Sequence, residues 1–335
     1  MIMENKTELK ESCSPVGMAQ RLWYLDCLKL IAAFFVVFYH LAYYDLNYGF
    51  EPGVLYIANG NRILMSFAAC SVPLFFTVNG TLLFRRHRTW QEMLHKAVKI
   101  LVLLLIWKLV DFPDWFFRTM IILYIVFPGL QYLQENRPGL LKLLCCAVFV
   151  MPFGYNLALM CCKGLALVGW IPDVTKGLSV TGCFTVYSIL YFCMGCYLEQ
   201  TKPWKLMWSV VCVLAGWFLV VTECMIYTNL YQVIWDGVNA AFPTAGAFLM
   251  TLGLYSAMRN IPKPSFEKLL AWCADGVLAI YLQHMALIRL LKDYLLPDSY
   301  GIMSAVMVTV IVCGLCILVR KLCRNIRVLD WLFRI

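Results

Sequence analysis

In 335 residues the chain carries 62% hydrophobic and 14% charged side chains, with a mean hydropathy of +0.75. That balance excludes a soluble globular protein. It predicts an all-α polytopic membrane protein, because several apolar runs exceed the roughly 18 residues that mark a spanning helix. The net charge of +9 comes without an arginine-rich arm or an aromatic-interleaved basic sheet, so it speaks for membrane topology and against nucleic acid.

Residues 1–20 are polar and of mixed charge, a cytosolic N-terminal tail with no cleavable signal sequence. About ten spans follow, at 23–44, 63–84, 97–112, 115–134, 140–161, 181–198, 206–226, 237–258, 271–291 and 302–323. The first serves as an uncleaved anchor. Asp111-Phe112-Pro113-Asp114 ends the third. Pro152 and Gly154 predict a broken or re-entrant fifth. Most of the 28 lysines and arginines fall on the side of the N-terminus, which puts both termini in the cytosol and leaves 324–335 as a C-terminal tail. Residues 21–323 then form one membrane domain. Most of the 16 cysteines lie inside apolar segments, where Cys packs as a small hydrophobe; Cys193–Cys196 and Cys313–Cys316 have C-x-x-C spacing but no second ligand pair. No metal set is expected.

The first span, Arg21 to His40, holds the costliest residues. At 100° per residue Lys29 and His40 differ by about 20° after whole turns, and Asp26 lies about 60° from Lys29. The three share one stripe, with the two basic groups about 16 Å apart along the axis. Charges inside a membrane helix are expensive and usually functional. His40, near the outer end, suits a general base, with Lys29 and Asp26 lining the path to it.

Three further features follow in chain order. Val72-Pro73 and Asn79-Gly80 predict a kink and local unwinding in the second span. Arg85, Arg86 and Arg88, then Lys96 and Lys99 one helical turn apart, form a cytosolic basic cluster suited to phosphates of a nucleotide-bearing donor, or to anionic lipid. Tyr281 and His284 sit in the ninth span, at a depth that would let His284 meet His40; Asp275, nine residues before it, faces the other way on a regular helix. No G-x-S-x-G elbow, H-E-x-x-H or phosphate-cradling P-loop occurs.

Taken in order, these segments resemble the acyltransferase-3 family of integral-membrane O-acyltransferases. Leu25-Asp26-x-Leu28-Lys29-x-x-Ala32 with His40 is similar to the family's first-helix R/K-x10-H motif. Phe75-Phe76-Thr77-Val78-Asn79-Gly80 resembles F-F-x-x-S-G with Asn79 at the serine. Lys96-Ala97-Val98-Lys99 resembles R-x-x-R with both arginines replaced by lysines, which keeps charge but gives up planar two-point contact. Trp115-Phe116-Phe117, Tyr191-Phe192-x-x-Gly195 and Tyr281-Leu282-Gln283-His284 match further segments.

The resemblance implies a transferase of the bacterial cytoplasmic membrane. It would move an acyl group, commonly acetyl, from cytosolic acyl-CoA to a hydroxyl of a cell-envelope carbohydrate such as a surface polysaccharide. His40, Lys29 and Asp26 would be catalytic. Lys96, Lys99, Arg85 and Arg86 would bind acyl-CoA, and Asn79, Tyr281 and His284 would line the pocket. The donor is a substrate, and no bound cofactor is implied. A transporter built on the same membrane domain, with Lys29 and His40 binding or gating a solute or glycan, is the rival reading.

Overall fold

The computed structural model describes residues 21–42, 51, 53–108, 114–167, 169, 186–232, 244–295 and 301–333. All regular structure in them is helical. The first helix, α1 (Trp23–Ala42), runs through the middle of the bundle. It packs on the helices that hold 71–84, 245–260, 267–274, 277–295 and 302–323. Leu25, Leu28, Ala32, Val37 and Leu41 are buried along it, which is why its sequence is apolar on more than one face.

The second span is one long run: α2 (Gly60–Met65), a 3-10 stretch (Ser66–Cys70) and α3 (Ser71–Phe84). The expected unwinding at Asn79-Gly80 is not there. Pro73 falls in the first turn of α3, where a missing N–H costs little, and the irregular backbone lies before it, in the 3-10 stretch. Gly80 serves close packing instead. An added Cβ would overlap the Phe192 carbonyl, and one on Gly195 would overlap the Thr77 carbonyl and come within 2.7 Å of Thr81. The pair lets α3 and α8 (Val186–Gln200) touch backbone to backbone.

Next come α4 (Trp90–Trp107) and α5 (Trp115–Asn136), then α6 (Pro138–Val148), a π-helical turn (Phe149–Gly154) and α7 (Tyr155–Leu167). Pro152 is absorbed in that π turn, so the fifth segment continues as one span over Pro138–Leu165 and is not broken. The turn 111–114 lies almost wholly outside the described residues, as do positions 43 and 44 at the end of the first expected span. Beyond α8 follow α9 (Leu206–Tyr231), α10 (Ala245–Asn260), α11 (Glu267–Ala274), α12 (Val277–Leu295), α13 (Ile302–Cys323) and α14 (Arg327–Leu332). The ninth segment is not one straight helix: α11 and α12 meet at 57°, and Asp275 sits in the break. The stretch 324–335, expected as a tail, includes α14. Cys193, Cys196 and Cys316 are buried free thiols within α8 and α13.

Among the described residues six helical runs are long and apolar enough to cross a membrane, or seven if the bent α11–α12 pair is one span. Each of the ten expected segments holds helix, but α4, α8 and α10 do not meet that criterion. The first turns of α4 are charged, and α8 and α10 have only 15 and 16 residues. The protein is an all-α polytopic membrane protein.

Candidate functional site

A cavity of about 840 Å³ opens at the end of the bundle that carries the N-terminus of α1. Eight basic and two acidic side chains line it, a formal surplus of six positive charges. Its inner wall is aromatic and apolar, with Phe75, Phe116, Phe117, Tyr124 and Tyr281.

From α1 come Arg21, Asp26 and Lys29. Asp26 is 3% exposed. Its carboxylate accepts from the Arg21 guanidinium and lies 3.6 Å from the Lys29 ammonium. A buried carboxylate between two cations is held in place by both, whereas removing either partner would leave charge uncompensated. Arg21 also donates to the Ala271 carbonyl at 2.8 Å, which ties the start of α1 to α11.

Arg85, Arg86 and Arg88 come from the connection between α3 and α4. Its backbone is held by α5: Gln131 Oε1 accepts from the Arg88 N–H at 3.1 Å, and Gln131 Nε2 donates to the Arg86 carbonyl at 3.4 Å. His87 turns outward onto Glu135 at 3.0 Å. A Thr89 cap, whose hydroxyl accepts from the Glu92 N–H at 3.2 Å, then starts α4 at the register that sends Lys96 to the cavity. Lys96 lies 5.9 Å from the Tyr124 ring centre. Lys99 does not line the cavity; its ammonium lies 5.3 Å over Trp331 of α14.

Asn79 lines the cavity from α3, its amide donating to the Phe75 carbonyl at 2.8 Å. Tyr281 closes the inner wall, with ring centres 5.0 Å from Phe116 and 5.2 Å from Phe117. On its other side it meets His284 at 5.9 Å, and His284 meets His40 at 5.1 Å. The two histidines thus come together behind Tyr281, outside the cavity lining. His284 is fully buried, and its Nδ1 lies 3.0 and 2.8 Å from the Ile280 and Tyr281 carbonyls. Carbonyls only accept, so Nδ1 carries the proton, and Nε2 of the neutral ring is the acceptor. That Nε2 is buried with no hydrogen-bond partner among the described residues.

Of the ten residues singled out in the sequence, Asp26, Lys29, Asn79, Arg85, Arg86, Lys96 and Tyr281 line one cavity. His40 and His284 pair beyond it, and Lys99 stands apart. Arg88 of the expected basic cluster lines the cavity as well, whereas sequence reasoning gave no site role to Arg21, Arg320 or Arg324, which also line it. The i, i+4 spacing of Arg320 and Arg324 was the available signal.

A second buried polar cluster braces this end of the bundle. Glu199 of α8 accepts from the Tyr24 hydroxyl at 2.6 Å and the Tyr255 hydroxyl at 2.8 Å. Tyr255 also pairs with Thr81 at 2.8 Å. Four helices, α1, α3, α8 and α10, are thereby fixed around the side chains that flank the cavity. Among the described residues no group of three or more His, Cys, Asp and Glu side chains stands ready for a metal ion.

No curated protein and no solved structure matches the chain. The family model described as an acyltransferase domain matches residues 22–113 and 105–321, which takes in α1 with its Asp26–Lys29–His40 stripe and every helix that lines the cavity up to Arg320. The chain belongs to the acyltransferase-3 family and is a membrane acyltransferase.

Proposed function

We propose that the protein takes acyl-CoA, in the simplest case acetyl-CoA, into the basic cavity and transfers its acyl group to a hydroxyl of a cell-envelope carbohydrate. His40 is the general base. The observation that carries this reading is one continuous arrangement: a mouth with six surplus positive charges, an aromatic inner wall, and the His284–His40 pair directly behind Tyr281. The excess of basic residues at the cavity mouth supports a cytosolic position for that end. A cytosolic polyanionic donor suits it.

The chain length between the two ends fits the donor. Lys29 and His40 are separated by about 16 Å along α1, a length comparable to the extended phosphopantetheine arm. The phosphates would stay at the mouth, and the thioester would travel toward the histidines once Tyr281 gives way. His40 then accepts the proton of the acceptor hydroxyl as its oxygen attacks the thioester carbon. The C–O bond forms, the C–S bond breaks, and the imidazolium returns the proton to the departing thiolate. His284 supports the base: its Nδ1–H is committed to backbone carbonyls, and its Nε2, which has no hydrogen-bond partner among the described residues, would accept from the N–H of His40 in the reacting arrangement and hold that ring in one tautomer.

The test uses the full chain in inside-out membranes supplied with labelled acetyl-CoA. Wild type is expected to label an envelope glycan, and His40→Ala to label none while inserting and melting as wild type does. Undiminished labelling by His40→Ala would overturn the mechanism. Solute uptake by proteoliposomes lacking acyl-CoA, with no labelled glycan, would replace it with transport.

A further inference from the structure

Apart from Arg21 and Lys29 of α1, which share Asp26, the basic side chains of the cavity stand on two separate supports. One group, Arg85, Arg86, Arg88 and Lys96, is held by α5 through Gln131 and by the Thr89 cap. The other is Arg320 and Arg324 at the end of α13, which packs on α1 and α12. These two arginines are four residues apart and share a helix face. Lys321, beside Arg320 in sequence, leaves that face: its ammonium pairs with Asp275 at 2.9 Å and lies 4.8 Å over Trp272.

Arg320 is the most unusual group in the cavity wall. It is 2% exposed, and one terminal nitrogen donates to Asp330 of α14 at 2.8 Å. Its Nε is buried with no partner among the described residues. Arg324 is exposed and makes no side-chain ion pair among the described residues; the nearby Asp275 carboxylate acts on both arginines through space but is bonded to Lys321. A buried guanidinium with an unused donor, next to a second arginine in a lining with six surplus positive charges, is costly unless an anion completes it. Two planar forks on one face fit the three oxygens of a terminal phosphate monoester better than a phosphate flanked on both sides by chain.

We infer that Arg320 and Arg324 form a second phosphate subsite of the cavity, separate from the α3–α4 group, that takes a terminal phosphate monoester. The inference rests on the acyl-CoA reading above and extends it: the α13 pair holds the ribose 3′-phosphate, and the α3–α4 group holds the pyrophosphate. Asp330 is the positioning residue that keeps Arg320 oriented.

Calorimetric titration of the full chain in detergent with CoA and with 3′-dephospho-CoA tests this. Wild type is expected to prefer CoA by about tenfold or more, the worth of one charge-assisted contact. Arg324→Gln, on an exposed side chain, should weaken CoA about tenfold and leave 3′-dephospho-CoA within about twofold, erasing the preference. Lys96→Ala should weaken both ligands alike. Equal losses for the two ligands in Arg324→Gln, or a wild type that does not discriminate, would overturn the subsite while leaving the donor reading intact. Failure of wild type to bind either ligand would overturn both.

Discussion

Lys96 and Lys99 sit where the family motif has two basic residues, and the motif treats them as equivalent. The structure does not. Lys96 lines the cavity, whereas Lys99 lies over Trp331. On the proposed reading Lys96 makes a charge-assisted contact to the donor, worth about 1.5–3 kcal/mol, so Lys96→Ala should raise the Kd for CoA about ten- to a hundred-fold. Lys99→Ala loses a cation–π contact of about 0.5–1 kcal/mol, which acts on stability. Its effect on the donor is a distant charge only, and at about 10 Å in a watery mouth that is roughly 0.4 kcal/mol, or about twofold. CoA titrations of both variants at two ionic strengths measure the difference directly. The small Lys99 effect should vanish at high salt, and the Lys96 effect should persist in part. Equal losses, or a larger loss in Lys99→Ala, would refute the assignment of Lys96 as the inward-facing member.

Other outcomes follow from the helix contacts. Gly195→Ala would drive a methyl group into the Thr77 carbonyl and within 2.7 Å of Thr81, so α3 and α8 must separate; a cost of about 1–3 kcal/mol or more is expected, read as a lower Tm. Because Asn79 rides on α3, CoA affinity should fall in the same variant. Glu199→Ala leaves the hydroxyls of Tyr24 and Tyr255 without their acceptor, costing about 2–4 kcal/mol, while Glu199→Gln keeps an acceptor oxygen and should lose about 1 kcal/mol; thermal melts of the pair separate hydrogen bonding from charge. Trp331→Ala should lower the Tm modestly and leave CoA affinity nearly unchanged, since Trp331 touches Lys99 and Lys99 is outside the cavity.

Much of this was legible because α1 is a regular helix. The angular arithmetic that put Asp26 and Lys29 on one stripe depends only on 3.6 residues per turn, and the structure pairs them at 3.6 Å. The tenth span likewise coincides with α13, Ile302–Cys323, since an uninterrupted apolar run has few alternatives. What escaped depends on neighbours. Whether Lys96 or Lys99 faces inward is decided by α5 and α14, far away in sequence. Asn79-Gly80 reads as a helix breaker locally, yet Gly80 answers to the Phe192 carbonyl 112 positions later. The bend between α11 and α12 leaves no apolar interruption beyond Asp275-Gly276, so periodicity ran straight through it. Arg320 resembled one more topology-setting charge until Asp330 and the cavity wall gave it surroundings.

The position of α1 explains why one helix carries both ends of the site. It is the element that touches α3, α10, α11, α12 and α13 together, so side chains on a single stripe of it can reach the mouth at Lys29 and the histidine pair at His40. Any other helix would meet only part of that path. The same centrality constrains its sequence: Ala32 and Ala33 are almost fully buried between the two functional ends, where larger side chains would push α3 and α12 apart. The polar stripe is tolerated in a membrane because its cost is met locally. Asp26 offsets Lys29 at one end, and at the other His40 rests against the ring of His284, whose Nδ1 is held by backbone carbonyls. Tyr281 stands between these ends with one side on the cavity and the other on His284. In the proposed mechanism, donor binding and proton transfer are separated by that one aromatic side chain, and its displacement is the step that would join them.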